Sequence, residues 1–372
     1  MRKTKHFMYF LAFLSAGMVM TSCNDDNDGP QQQDDFDAKI EALALAPKWN
    51  NYLLAASEEL AEDCATLYNE WVNGYATTVK NAGGEFGNSY TTAVEQTIVQ
   101  GSIDIAGEVG EQKIGGPNSL AKEGKTTQAV LEVESWYSFN SLDDYRNNIV
   151  SIRNSYFGGI NATSAQTNSL SAFVASKNAT LNTRVVDAIS NAIGKIDAMD
   201  KPFRNNLIGS KVDAAMDACA DLADIFEREL KSFVQTNTDE VAYKAILENY
   251  ADNIVVPTYA NMKNKAEALR DAAQTFAASP TQNKLNIAAD AWRATRIPWE
   301  QSESFLYGPA DLLGLDPSLD SWPLDQADIY TILSDNKQSV AEIRSEITDE
   351  AVRGFHTIEL LLFKGGNPRV VK

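Results

Sequence analysis

Gly354-Phe355-His356-Thr357-Ile358-Glu359-Leu360-Leu361-Leu362-Phe363 is an apolar run broken by one imidazole and one carboxylate. Residues three apart on a helix share a face, so His356 and Glu359 point the same way. Phe355, Ile358 and Leu360 to Phe363 make the remaining sides apolar, the pattern of a buried helix. Burying an imidazole and a carboxylate there costs several kcal/mol unless each is hydrogen-bonded, paired or metal-bound. Gly354, read as lying inside a helix over 349–363, costs about 1 kcal/mol relative to alanine. Glycine is tolerated where another group must come close, so the spacing predicts that something meets this helix.

Outward from that stretch the chain is helical almost throughout. Helices are expected over 37–81, 88–107, 141–156, 163–198, 203–235, 239–277, 281–306, 326–347 and 349–363. Gly83-Gly84, Gly158-Gly159, Lys201-Pro202, Ser279-Pro280 and Gly308-Pro309 punctuate them. Gly107 to Thr127, with Gly115-Gly116-Pro117 and Gly124, is the longest stretch expected to be non-helical. Long helices joined by short turns form antiparallel bundles. The polar Gln235-Thr236-Asn237-Thr238 divides the chain into a first bundle, 36–235, and a second, 236–372.

The second bundle holds a polar face around Pro298. Trp292, Arg296, Trp299 and Glu303 recur at intervals of four, three and four, one helical side if the helix passes through the proline. An ion pair of Arg296 with Glu303 or Glu300, buttressed by indoles, accounts for this face as well as a binding role does. Gly308-Pro309 stops that helix, and Ser321-Trp322-Pro323 opens the next approach. In the first bundle, Glu134-Ser135-Trp136-Tyr137-Ser138 leads to Asp143-Asp144 and Asn147-Asn148. Capping by Ser141 with Asp144 in the first turn explains part of this, but not Glu134 with Ser135.

The N-terminus carries Arg2, Lys3 and Lys5 before an apolar run from Phe7 to Met20, which ends in Met20-Thr21-Ser22-Cys23. The run is too short for a membrane span. The pattern is that of a lipoprotein signal over residues 1–22 with lipidation of Cys23, leaving the protein anchored in a bacterial envelope. Residues 23–35, rich in Asp, Asn and Gln, read as a disordered tether. The acidic run resembles the export signal of surface lipoproteins in the Bacteroidetes, an expectation of outer-membrane, outward-facing display. Removal of 1–22 takes away three basic and no acidic residues, leaving 29 basic against 51 acidic, a formal charge of −22. Such a surface excludes nucleic acid and restricts membrane contact to the lipid anchor. Cys64 and Cys219 could pair or stay as buried thiols, and no Cys/His spacing for structural zinc exists.

These residues together resemble the imelysin family. The resemblance rests on Gly354, His356 and Glu359 as a Gly-x-His-x-x-Glu helix. It rests equally on the stretch from Trp292 through Arg296, Pro298-Trp299-Glu300-Gln301-Ser302-Glu303 to Phe305, with Gly308-Pro309 and Trp322-Pro323. Glu134-Ser135, Asp144, Asn147-Asn148 and Pro202-Phe203 also fit. The family implies an all-α fold of two similar four-helix bundles with the histidine motif at their interface. Its members place the histidine module first; here the order is reversed, and a circular permutation is the economical explanation. The resemblance implies metal ligation by His356, Glu359 and Glu303, with Arg296, Ser302, Trp292, Trp299, Glu134, Ser135, Asp144 and Asn147 around a ligand.

Three functions compete at the level of sequence. The first is capture of a divalent metal ion, iron or zinc, or of a metal-containing small ligand, in iron uptake beside a partner protein. The second is a metallopeptidase, which would need further ligands and a base beyond the sole histidine of the processed chain. The third is a structural His356–Glu359 pair that fixes bundle docking with no ligand.

Overall fold

The computed structural model describes residues 31–371, with side chains from Asp37 onward. The signal segment 1–22, Cys23 and the tether as far as residue 30 lie outside the described residues. The last five residues assigned to the tether belong instead to a helix, Gln31–Ala42, since the run after Pro30 contains no breaker.

Periodic apolar residues produce the helices as expected. In Ala179–Asp197, Leu181, Val185, Ala188, Ile189, Ala192, Ile193 and Ile196 are buried at helical spacing, and Asn178 caps the start by accepting from Leu181 N. Helix Gln282–Glu300 runs through Pro298 and stops two residues later. A proline this close to the C-terminus removes only one hydrogen bond of the last turn. Glu303 consequently lies beyond it, in the 3-10 turn Glu303–Phe305.

Two helical groups form. In one, Pro47–Glu70 packs against Val256–Ala278, which packs against Gln282–Glu300, and Gly354–Leu362 lies on the first and last of these. In the other, Ser141–Phe157, Ala179–Asp197, Ser210–Ile225 and Gly101–Gly107 pack together. The groups meet where Gln282–Glu300 crosses Ser141–Phe157 and where Glu303–Phe305 touches Gly101–Gly107. Residues 36–80 therefore group in space with the C-terminal helices, and a cut at 235/236 does not separate the two cores. Helix Pro47–Glu70 is amphipathic, and the surface complementary to Trp49, Tyr52 and Leu53 lies on helices far along the chain.

The stretch Gly107 to Thr127, expected as a loop, is helical: Gly101–Gly107 continues into a π-type segment Glu108–Ile114, and Gly115–Lys122 and Thr126–Leu131 follow. Gly110 explains the misreading. An added Cβ there would sit 2.9 Å from Cys219 Cβ, so this glycine permits close helix packing and does not break the chain. Cys64 and Cys219 are buried free thiols on different helices, and burial pushes the Cys219 thiol up to about 12.

Helix 349–363 is also revised. Asp349 caps a short turn, Glu350–Val352, by accepting from Ala351 N, and the longer helix begins only at Gly354. Gly354, at φ +76°, is the first residue of this helix and does not weaken its interior. Any Cβ there would collide with the carbonyls of Ser318 and Leu319. What meets this glycine is backbone, and the contact delivers the next residue, Asp320, to His356. Among the described residues the β structure is one antiparallel pair, Phe363–Lys364 with Asn367–Pro368, and no helix is long and apolar enough to cross a membrane.

Candidate functional site

His356 has no solvent exposure. Its Nδ1 lies 3.1 Å from Glu359 Oε2, while Glu359 Oε1 accepts from both the backbone N and Oγ of Ser138 at 2.7 Å. The ring is thus held from one side by a carboxylate that the other helical group fastens in place. Trp322 stands edge-on to the imidazole at 4.9 Å between ring centroids.

The other ring nitrogen decides the chemistry. Nε2 lies 3.1 Å from Asp320 Oδ1 and 3.5 Å from Glu134 Oε1, yet it makes no bond of hydrogen-bond geometry. A neutral ring that donates from Nδ1 to Glu359 turns a bare lone pair toward two carboxylate oxygens. That is repulsive unless a proton or a cation stands between them. One atom from each of Glu134, Asp320 and His356 falls within a 4.8 Å group suited to a metal ion. Bonds of about 2.0–2.2 Å from nitrogen and oxygen to zinc or a similar ion set neighbouring ligand atoms roughly 3.0–3.5 Å apart, and the ring nitrogen stands 3.1 and 3.5 Å from the two oxygens. The donor set fits a first-row divalent cation.

Arg296 is the hub of the surrounding charges. Its Nη2 reaches Glu134 Oε1 at 2.9 Å and Asp144 Oδ2 at 3.3 Å, it contacts Glu300, and its Nη1 contacts Asp320. Trp299 Nε1 donates to Asp320 Oδ2 and Trp292 Nε1 to the Phe355 carbonyl, so both indoles brace this geometry. Ser135 Oγ and Asn140 Nδ2 donate to Asp144 at 2.6 Å. Lys113 Nζ lies 3.2 Å from Glu134 Oε2 and 3.8 Å from Glu303 Oε1.

Burial and charge pull the titrations apart. For His356 burial acts to lower the pKa, but Asp320, Glu134 and Glu359 outweigh it and the net shift is upward. Burial acts to raise Asp320, yet Arg296 and His356 hold it at about 2. Glu134 is likewise held below the usual range, by Lys113, His356 and Arg296 against burial. Asp144 is pushed up to about 6, burial outweighing Arg296, and burial also raises Glu300 and Glu303.

A model of the family described as imelysin matches residues 24–228 and 255–370. The chain belongs to the imelysin family. It is similar to a crystal structure of an imelysin peptidase from Bacteroides ovatus, 40% identical with a TM-score of 0.82, over 88% of this chain and 97% of that one. It is also 33% identical over 167 residues to iron-regulated protein A of Synechococcus elongatus, covering 45% of this chain. The matched part is 41% of the cyanobacterial protein, so the chain spans about two-fifths of that curated relative's length.

In this imelysin the three residues anticipated as ligands do not converge on one point. His356 is central, but Glu359 faces its other nitrogen as an orienting carboxylate, and Glu303 pairs with Lys113, away from the ring. Glu134 instead lies beside the ring with Asp320, and Arg296, Trp292, Trp299, Ser135 and Asp144 all adjoin this cluster. Ser302 and Asn147 do not. Ser302 Oγ donates to the Trp299 carbonyl and closes the helix, and half-exposed Asn147 accepts from Gln301 at the rim. Sequence reasoning missed Asp320, whose only signal was its place just before Ser321-Trp322-Pro323. It also missed Lys113, hidden in the supposed loop, and Ser138, whose role depends on a partner 221 residues away.

Proposed function

We propose that this imelysin is a lipid-anchored envelope protein that captures a metal ion, iron or zinc, or a metal-containing small ligand, between its two helical groups during iron acquisition. One observation carries the reading: His356 Nε2, buried and without a hydrogen bond, faces Asp320 and Glu134 at 3.1 and 3.5 Å. His356, Glu134 and Asp320 would hold the ion, Glu359 and Ser138 would fix the ring tautomer, and Arg296 would hold the acids in place. The relative named iron-regulated protein A supports iron as the cargo. Lipidation of Cys23, outer-membrane display, a transport partner and a permuted module order that leaves the interface intact complete the proposal.

The test is thermal unfolding of the purified protein with Fe²⁺, Zn²⁺, Ca²⁺ or haem. A stabilising shift with iron or zinc that disappears in His356→Ala and Asp320→Ala is expected; no shift with any of them ends the proposal. Incorporation of labelled fatty acid, abolished by Cys23→Ala, tests the anchor.

Cleavage of peptides is the second reading, favoured by the description of the Bacteroides ovatus protein as a peptidase. It ranks second because a scissile bond would have to reach an imidazole and a guanidinium that are both fully buried. Turnover of a peptide library, lost on chelation and in His356→Ala, would reverse that order.

A further inference from the structure

Lys113 holds the acid that stands beside the histidine. Its Nζ lies 3.2 Å from Glu134 Oε2, while Oε1 of the same carboxylate is 3.5 Å from His356 Nε2. Glu108 Oε1 at 3.7 Å and Glu303 Oε1 at 3.8 Å also face the ammonium. The π-type segment Glu108–Ile114 accounts for the contact with Glu108. Its hydrogen bonds span five residues, which sets Glu108 and Lys113 one above the other.

Exposure falls steadily along this row. The side chain of Glu108 is 40% exposed, that of Lys113 11%, that of Glu134 8%, and that of His356 has no exposure at all. Elsewhere the imidazole is covered: Glu359 faces Nδ1, and Trp322 stands edge-on to the ring. The row of Glu108, Lys113 and Glu134 thus leads from solvent toward Nε2.

The two cations beside Glu134 differ in their freedom. Arg296 has no solvent exposure and contacts four carboxylates, so it has nowhere to go. Lys113 has a flexible four-carbon stem and a partner at the rim. Its backbone is pinned on either side, since an added Cβ would sit 2.9 Å from Cys219 Cβ at Gly110 and 2.9 Å from the Gly110 carbonyl oxygen at Gly115. The part able to move is the side chain. A divalent ion on Glu134 would stand a few ångströms from the ammonium on the same carboxylate, where like charges in a poorly solvated site repel strongly.

We propose that Lys113 is a built-in counter-ion that admits the metal. In the metal-free protein its ammonium balances Glu134 and Glu303, and an entering divalent cation displaces it outward, with Glu108, into solvent. One ion comes in, one protonated side chain swings out, and no covalent bond changes. The inference rests on the metal-binding reading above and deepens it by naming the residue that the cation must move.

Brief acetylation of the purified protein with and without saturating Zn²⁺, read residue by residue by mass spectrometry against exposed Lys125, tests the displacement. Modification of Lys113 should rise about tenfold with Zn²⁺ as its ion pairs open, and the rise should vanish in His356→Ala. By calorimetry Lys113→Met should bind Zn²⁺ roughly tenfold more tightly than the wild type, because a competing charge is gone. Bound Zn²⁺ with unchanged labelling of Lys113, a rise that persists in His356→Ala, or unchanged or weaker affinity in Lys113→Met would each overturn the proposal and leave the metal-binding function standing. Wild-type protein that binds no Zn²⁺ would end both. Should Lys113→Met not fold, the labelling of the unaltered chain decides alone.

Discussion

Ser138 and Glu359, 221 residues apart, are joined twice: the backbone N and the Oγ of Ser138 both donate to Glu359 Oε1 at 2.7 Å. The second carboxylate oxygen then faces His356 Nδ1. Ser138 thus reaches across the interface to set the orientation of a ring it does not touch. Carboxylate and hydroxyl groups behind a metal-binding histidine fix its tautomer and raise its basicity. Ser138→Ala should weaken binding of Zn²⁺ or Mn²⁺ by about 10-fold, and Glu359→Gln by up to about 100-fold. Far-UV circular dichroism should be unchanged in Ser138→Ala. Calorimetric titration is the measurement, and undiminished affinity in both variants would remove the orienting role.

Gly354 is expected to tolerate no side chain. Its φ of +76° is unfavourable for other residues, and its Cα hydrogen faces the Leu319 carbonyl. Gly354→Ala should lower the unfolding free energy by at least about 2 kcal/mol from backbone strain and overpacking together. Urea denaturation reads this directly. Because the same contact delivers Asp320 to His356, metal affinity should fall with stability.

Arg296 opposes four carboxylates with no solvent exposure. Removing one partner from such a network leaves buried charge without compensation, at a cost of about 3–5 kcal/mol. Arg296→Met should therefore unfold at markedly lower temperature without metal. Added Mn²⁺ should recover more stability in this variant than in the wild type, since a cation then supplies charge that the guanidinium no longer does. Equal metal-induced shifts in the two proteins would contradict this account.

The metal-free protein should be more stable in mild acid than in mild base. Asp144 and Asp316 are pushed up to about 6 and 7, chiefly by burial, and Glu300 and Glu303 are raised for the same reason. Between the ordinary carboxylate range and these values the folded state holds protons that the unfolded chain has released, so stability falls as pH rises. His356 adds to this above its ordinary value of 6.5: its folded pKa is raised, and the stability it lends is lost as pH climbs through that higher pKa. At the acid end Asp320, held at about 2, works the other way and loses its contribution as pH falls from its ordinary 3.8 toward that value. Denaturant midpoints measured from about pH 4 to 9 should decline across the range, and a divalent cation should flatten the decline by replacing protons.

Much of the fold was legible because helical periodicity is local. Ala179–Asp197 and Gln282–Glu300 follow from apolar spacing and caps within a few residues. The segment around Lys113 was not legible, because glycine looks the same in sequence whether it ends a helix or lets one approach Cys219. The place of Pro47–Glu70 with the C-terminal helices was hidden for a related reason: an apolar face announces burial but does not name the surface that covers it. The site shows the same split. His356, Arg296 and Glu134 stood out as costly polar residues, whereas Asp320 looked like one acid among 51 acidic residues.

The sequence by itself determined that this chain is all-helical, that it is an imelysin, and that one imidazole on an apolar helix must be satisfied by something. Periodicity, motif spacing and the cost of burying polar groups are properties of short segments. Only the tertiary structure decided which acids face each nitrogen of that imidazole. Glu359, three residues away, and Asp320, brought in by a glycine–carbonyl contact, are equally available to a reader of the chain, and only the packing of distant backbones sets one against Nδ1 and the other against Nε2.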